Sequence, residues 1–379
     1  MDKHKFWIII LGAFILSLLT LECFGQNEYY RHLVFRESPL SEHRGIYPIT
    51  EDESKEVSHY RFSYDENGDV VEISHRIGGD LISENGNWDS FTWWAPKIAI
   101  KYTKTEEIVT FFDHFDQPTN AYGKIAKAIY SLDKKGRRIG LKFQDMNGEL
   151  AENHWNVHRY EWTYLEPGVV IERRYNLNNE PEFMRPNLTF ETVKLVYGDD
   201  DLLDFMYHID QNGQLKNNTM GAAIDRIVYD HNDNFIRWMV FDADTNLVEG
   251  NAPQLALGEH LYNEYGNKVG LRGFDVHMKE KAFPSGFALE SRKYDTFGNL
   301  ISEKYTDMEG KRIVHGVYTY SESGNHRLTT SFVDDEGNLE NHYHWGWAKE
   351  VLEYDSGGRI VDRKFYKEDG SVYTNEHSD

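Results

Sequence analysis

Two histidine pairs, two acidic turns, a Ser-x-x-Lys spacing and two tryptophan-rich clusters are the groupings here whose residue types could do chemistry. His342 and His344 stand two apart, which in a strand puts both on one face, where two imidazoles can grip a metal ion. No third ligand lies nearby in the sequence, so a structural or solvent-facing pair is expected, and the same holds for His154 and His158. Asp199 to Asp201 and Asp334 to Glu336 offer carboxylates to calcium. Neither stretch supplies the alternating oxygens and closing Glu of an EF-hand loop, and turn chemistry accounts for both. No metal or other cofactor is expected.

Nucleophilic catalysis has no signature either. There is no Gly-x-Ser-x-Gly elbow and no HExxH helix, and Ser131 with Lys134 falls in a predicted hairpin turn. Carboxylates are so numerous that a glycosidase pair could be drawn from any two of them. Gly136, Gly298 and Gly357 sit in hairpin turns with no helix following, so they build no phosphate loop. No catalytic residue is expected.

The binding candidate is the stretch NWDSFTWWA, Asn87 to Ala95, in which Trp88, Phe91, Trp93 and Trp94 offer wide apolar faces suited to sugars or peptides. His342, Tyr343, His344, Trp345 and Trp347 form a similar cluster near the other end of the chain. The competing reading is that both clusters cap the ends of a repeat stack.

The elements that must position these groups are hairpins. In SRKYDTFGNLISEKYTDMEG, Ser291 to Gly310, an aromatic leads into an Asp/Gly turn, a strand-like run follows, and a second aromatic leads into a second turn. Gly298 and Gly310 fall where a tight turn requires positive φ, and Asp295 and Asp307 can bond their own backbone downstream. Turns led by Tyr64, Tyr102, Tyr130, Tyr164, Tyr197, Tyr229, Tyr262, Tyr294, Tyr320 and Tyr354 recur at about 32 residues. A second aromatic follows most of them by roughly a dozen residues, leaving room for a strand of ordinary length. Both faces of these strands carry apolar or aromatic residues, which implies a sheet covered on both sides or curled on itself. The expected fold is all-β: tandem antiparallel hairpins forming a long twisted or curled sheet over 58–379.

The motifs YDENGD, YNEYGN, YDTFGN and YDSGGR resemble the YD repeats of RHS-type secreted proteins of bacteria. The likeness runs from Tyr60 to Tyr373 and is strongest from Gly258 onward, while the copies at Tyr102, Tyr164 and Tyr197 lose the Asp, the Gly or their order. The resemblance implies a spiralling antiparallel sheet in a cell-surface or secreted protein. Large relatives often enclose a toxin; only a short tail follows the last repeat here, so no such cargo is expected.

Residues 1–25 read as a signal peptide: a Lys/His start, an apolar run of about 16 residues, shorter than the roughly 20 of a membrane span, and small Gly25 before Gln26. A lipid anchor on Cys23 is the rival, opposed by Glu22 where a small residue is expected. Cys23 is the single cysteine, so the mature chain can form no disulfide. Residues 26–57 read as a leader that caps the first repeat. The formal charge of −22 argues against nucleic acid or an anionic membrane as partner. The composite expectation is an exported noncatalytic protein, periplasmic, surface-bound or secreted, that binds a glycan, an envelope component or a protein; a hydrolase acting on an extracellular polymer is the alternative. We expect N-terminal sequencing of the exported protein to begin at Gln26; a lipid-modified Cys23 would reject the cleavage site, and intact Met1 in the cytoplasm would reject export.

Overall fold

Asp65 shows why the chain turns where it does. Its carboxylate accepts the backbone N–H groups of Asn67 at 2.9 Å and Asp69 at 3.0 Å, which closes the loop so that Gly68 takes φ 87°. Asp133, Asp210, Asp307 and Asp355 make the same pair of contacts in their own turns. These donors favour the ionised form, so the carboxyls of Asp65 and Asp210 are held below their usual range. Where glycine is missing, Asp233, Thr245 and Met278 adopt φ of 63°, 66° and 61° instead, so the carboxylate sets the turn even against the steric preference of the residue.

The computed structural model describes residues 26–83, 85–86 and 95–374. The signal peptide and Trp88, Phe91, Trp93 and Trp94 lie outside the described residues. β1 (Asn27–Leu33), β2 (Gly45–Ile49) and a single helical turn, α1 (Glu51–Ser54), come first. Thr50 and Glu53 cap α1 reciprocally. The first repeats follow as β3 (Ser58–Tyr64), β4 (Val70–Ile77), short β5 (Asp80–Leu81), β6 (Lys97–Tyr102), β7 (Glu106–Phe112), β8 (Lys127–Leu132) and β9 (Arg138–Gln144). The middle is built of β10 (Arg159–Glu166), β11 (Val169–Tyr175), β12 (Thr192–Tyr197), β13 (Leu203–His208), β14 (Ile224–Tyr229), β15 (Phe235–Phe241), β16 (Leu257–Tyr262) and β17 (Lys268–Phe274). The last repeats are β18 (Leu289–Tyr294), β19 (Leu300–Thr306), β20 (Arg312–Tyr320), β21 (Arg327–Phe332), β22 (Lys349–Tyr354) and β23 (Ile360–Tyr366).

All 23 strands among the described residues belong to one antiparallel sheet. β1 joins β2 to β3, and from β3 each strand pairs with the next in sequence, except that β5 and β6 both pair with β4. The strands end on the aromatics that mark the repeat: β12, β14, β16, β18 and β22 on Tyr197, Tyr229, Tyr262, Tyr294 and Tyr354. A register shift just before those tyrosines turns each ring out of the ladder. Three of their hydroxyls then reach back one hairpin. Tyr294 donates to Lys268 O at 2.7 Å, Tyr262 to Phe235 O at 3.0 Å, and Tyr354 to Arg327 O at 2.8 Å, in each case the first residue of the preceding return strand. A bond of this kind contributes about 1 kcal/mol net, and here it also fixes the angle between successive hairpins. Tyr130 departs from the sequence expectation of a turn opener. β8 runs on to Leu132, so Tyr130 is an inward core residue, 2% exposed, whose hydroxyl donates to Pro39 O.

The sheet curls until its early and late repeats meet. Ser58 N donates to Phe297 O at 2.7 Å, Leu300 N to Asn85 O at 2.9 Å, and Asn325 Nδ2 to Asp80 Oδ2 at 2.8 Å. The inner face carries the core in rungs of opposed residues, such as Ile73, Ile98 and Phe111, then Ala128 and Phe143, then Leu195 and Met206. Between β1 and β2 the chain crosses this interior, and His32 to Leu40 are all buried. Arg138 donates to Leu40 O at 3.1 Å, Ser41 Oγ meets Tyr197 OH at 3.1 Å, and Arg44 donates to Asp200 O at 2.8 Å. Glu172 and Arg174, both fully buried, pair at 2.7 Å, and Glu172 also accepts from Ser38 and from Trp162 Nε1.

Gly337 takes φ 88°, and no heavy atom lies within 4 Å of the point where a β-carbon would stand, so its substitution isolates backbone strain. We expect Gly337→Val to lose about 1–2 kcal/mol in urea unfolding and Gly337→Asn to lose less, since Asn tolerates the left-handed region. Equal stability of the two variants would show that the turn does not demand it.

Candidate functional site

The inner face changes chemistry toward the C-terminal end. The register that carries isoleucine and phenylalanine in the early repeats carries Glu290 opposite Tyr305, Glu303 opposite Gly316, Tyr318 opposite Thr330, and Thr330 opposite Glu350. Two clefts open there. One, of ≈ 460 Å³, lies between Tyr305, Phe332, Trp345 and Trp347, with Glu303 and Glu350 in its lining. The other, of ≈ 780 Å³, reaches from Leu300 and Tyr320 to Arg359 and Arg363. They share Glu303, Tyr318 and Arg327, and so form one trough.

Its aromatic wall comes from the link between β21 and β22. Trp345 stacks on Trp347 at 5.4 Å and 12° between ring planes, and on His342 at 4.2 Å and 23°, with Phe332 packed against all three. Trp345 stays 52% exposed and Tyr343 68%, whereas core aromatics such as Phe111 and Phe143 are sealed. Rings exposed in this way on a fixed backing offer flat apolar faces to a ligand.

Its floor is ionic. Glu290 takes Lys268 Nζ at 3.1 Å and Arg292 Nε at 2.5 Å, and Arg292 Nη2 reaches Glu303 at 2.7 Å. Burial alone would raise Glu290, but Lys268 and Arg292 outweigh it and hold the carboxyl low. Burial and the Glu290 charge raise Glu303 against the pull of Arg292. Burial also draws Lys268 down to about 8 and pushes Tyr318 up to about 12. Glu350 accepts Thr330 Oγ1 at 3.1 Å and pairs with Arg363 Nε at 3.2 Å and Arg327 Nη2 at 3.7 Å.

A third cleft, of ≈ 530 Å³, lies where the inner crossing segment meets the middle hairpins, between Glu37, His43, Arg44, Tyr197 and Tyr229. Its polar groups are largely committed to holding that segment. Arg185 pairs with Glu37, and burial together with the Glu37 charge pushes Asp225 up to about 8 against the pull of Arg185.

The residues singled out in the sequence meet different fates. Trp88, Phe91, Trp93 and Trp94 are outside the described residues; Asn85 and Gly86, just before them, line the larger cleft. His342 and His344 are not strand neighbours but lie at a turn, because the link bends there and the amides of His344 and Trp345 donate to His342 Nδ1. His342 contributes to the aromatic wall. His158 bonds Ala151 O at 2.9 Å, while His154 packs on Tyr122 and Trp155. Among the described residues no group of three or more His, Cys, Asp or Glu is placed to hold a metal ion. Asp334 serves its own turn, accepting the amides of Glu336 and Asn338. Ser131 pairs within the β8 ladder, apart from the turn that holds Lys134. Glu290, Arg292, Glu303, Tyr318, Arg327 and Glu350 belong to no motif. The signal present for them is charge at the inward register of strands that bury apolar residues in earlier repeats.

No family model matches the chain, and no curated protein matches it. Among solved structures it is similar to a TcdB2-TccC3-Cdc42 complex, at 10% identity and TM-score 0.23, over 90% of this chain and 20% of that one. It is also similar to a porin-like protein from Bacteroides uniformis, at 11% identity and TM-score 0.20, over 72% of this chain and 88% of that one. The chain thus spans only 20% of the length of the first of these.

Asp225 yields a pH prediction. The unfolded chain releases its proton at about 3.9 and the folded chain at about 8, so between those values the unfolded state binds fewer protons and stability falls as pH rises. We expect Asp225→Asn to lose less stability than the unsubstituted protein between about pH 5 and pH 8 in urea titrations. Identical pH dependence of the two proteins would show that this carboxyl folds ionised.

Proposed function

We propose that the protein is an exported, noncatalytic repeat protein of the YD type that binds a glycan along the trough between β18 and β23. The observation that carries this reading is the exposed Trp345 face stacked on Trp347 beside a floor of fixed hydrogen-bonding groups. Sugars present apolar ring faces and a dense rim of hydroxyls, and this wall and floor complement both. The Tyr hydroxyl that reaches the preceding hairpin, and the Asp carboxylate that closes many of the turns, support the YD-repeat reading. They give physical roles to the two residues for which the motif is named.

A hydrolase acting on an extracellular polymer is the competing reading, favoured by Glu290 and Glu303 being pushed in opposite directions. Against it, Glu290 is 2% exposed and held by Lys268 and Arg292, leaving the low carboxylate shielded from water and substrate. Affinity electrophoresis in polysaccharide gels, with a reducing-end assay alongside, tests both readings. We expect retention without cleavage, and Trp345→Ala to weaken it at least about tenfold with little change in melting temperature, as for an exposed aromatic anchor. Release of reducing ends would establish the hydrolase. A Trp345→Ala protein that melts far lower yet binds normally would make the wall structural.

A further inference from the structure

The larger cleft has the wrong charge for this chain. The sequence holds 63 acidic against 41 basic residues, yet Arg292, Arg327, Arg359 and Arg363 all line this one cavity, together with His114 and His326, against the single carboxylate of Glu303. At physiological salt the Debye length is about 8 Å, so a bound group senses these neighbours and not the distant acidic turns.

The four guanidiniums differ in how far they are satisfied. Arg292 is committed to Glu290 and Glu303. Arg327 and Arg363 share one carboxylate, Glu350, the former only at 3.7 Å, and Arg327 Nε is enclosed without a hydrogen-bond partner. Arg359 lies over the Phe115 ring at 4.4 Å, and among the described residues it makes no ion pair. A guanidinium has five donors in a rigid fork that matches a planar carboxylate. Here two such forks have donors in excess of the protein's own acceptors, in a cleft continuous with the aromatic wall through Glu303, Tyr318 and Arg327.

Resting on the glycan-binding reading, we infer that the ligand is an acidic glycan built of uronate units. Arg327 and Arg359 take its carboxylates, and Trp345 and Trp347 take the faces of its rings. The planar carboxylate, recurring along a chain of stackable rings, fits both parts of the trough at once. A sulfated polymer would match the charge without the planar fork.

Isothermal titration calorimetry on the mature chain tests this with oligogalacturonate, the same oligomer methyl-esterified, dextran and dextran sulfate. We expect the acid form to bind at least about tenfold more tightly than its ester, the loss expected for a charge-assisted pair. Arg359→Gln should remove most of that difference. The ester comparison uses the unsubstituted protein, so it stands even where a variant folds poorly. Equal affinity for acid and ester, or equal affinity for dextran sulfate and oligogalacturonate, overturns the uronate assignment and leaves glycan binding in place. Binding of none of the four overturns both.

Discussion

Among the described residues an open sheet of 23 strands has an inner face with no partner layer, and the rest of the fold depends on how that face is kept from water. A flat sheet of this size would leave its apolar rungs exposed. The twist natural to strands, fixed in hand by backbone sterics, is accumulated here until β3 meets the turn between β18 and β19 through Ser58 and Phe297. What remains of the interior is filled by the chain itself, as His32 to Leu40 cross it. That filler is part polar. Arg36, Glu37 and Ser38 enter the core, where Ser38 finds Glu172 on β11 and Glu37 finds Arg185 in the link between β11 and β12. Buried ion pairs of this kind give little net stability, but they penalise any other seating of the segment.

The curl is set locally and summed. Many hairpins are closed by a carboxylate that accepts two amides, others by the side chains of Thr103, Asn263 or Ser321, and several are tied to the previous one by a tyrosine hydroxyl on a backbone carbonyl. Neither device needs a neighbour's side chain, which is why the repeat tolerates wide variation between its marker residues. The register shift beside the tyrosine supplies both the turn geometry and the added local twist.

The same geometry yields different chemistry at the two ends. In the early and middle repeats the inward positions are mostly apolar, with Glu172 and Arg174 sealed among them as a buried pair, and the crossing segment covers them. From β18 onward they are carboxylates, guanidiniums and tyrosines satisfied largely by one another, so this part needs no cover and can stay open as a trough. Gly316 stands opposite Glu303, where a larger inward residue would crowd the trough between them. The aromatic wall is supplied by a link between hairpins, the part of the repeat freest to vary because it carries no ladder.

The strands, their antiparallel order and most of their ends were legible in the sequence, since they depend on turn chemistry that acts within five residues. Asp295, Gly298 and Tyr294 mark their hairpin without reference to anything distant. The same rule misplaces Tyr130, because the end of β8 is set by pairing with β9 and by the contact of Tyr130 with Pro39, far away in sequence. Spacing puts His342 and His344 on one strand face; the link bends there, and its path depends on packing against Phe332. The aromatic cluster was visible as composition, but Glu303, Arg327 and Glu350 were hidden among many charged residues of the same types. Only the curl decides which strand face is inward, and only the crossing of residues 34–44 decides how far along it the cover extends. Closure on that scale is a sum of small twists over many hairpins, and no single stretch of sequence carries it.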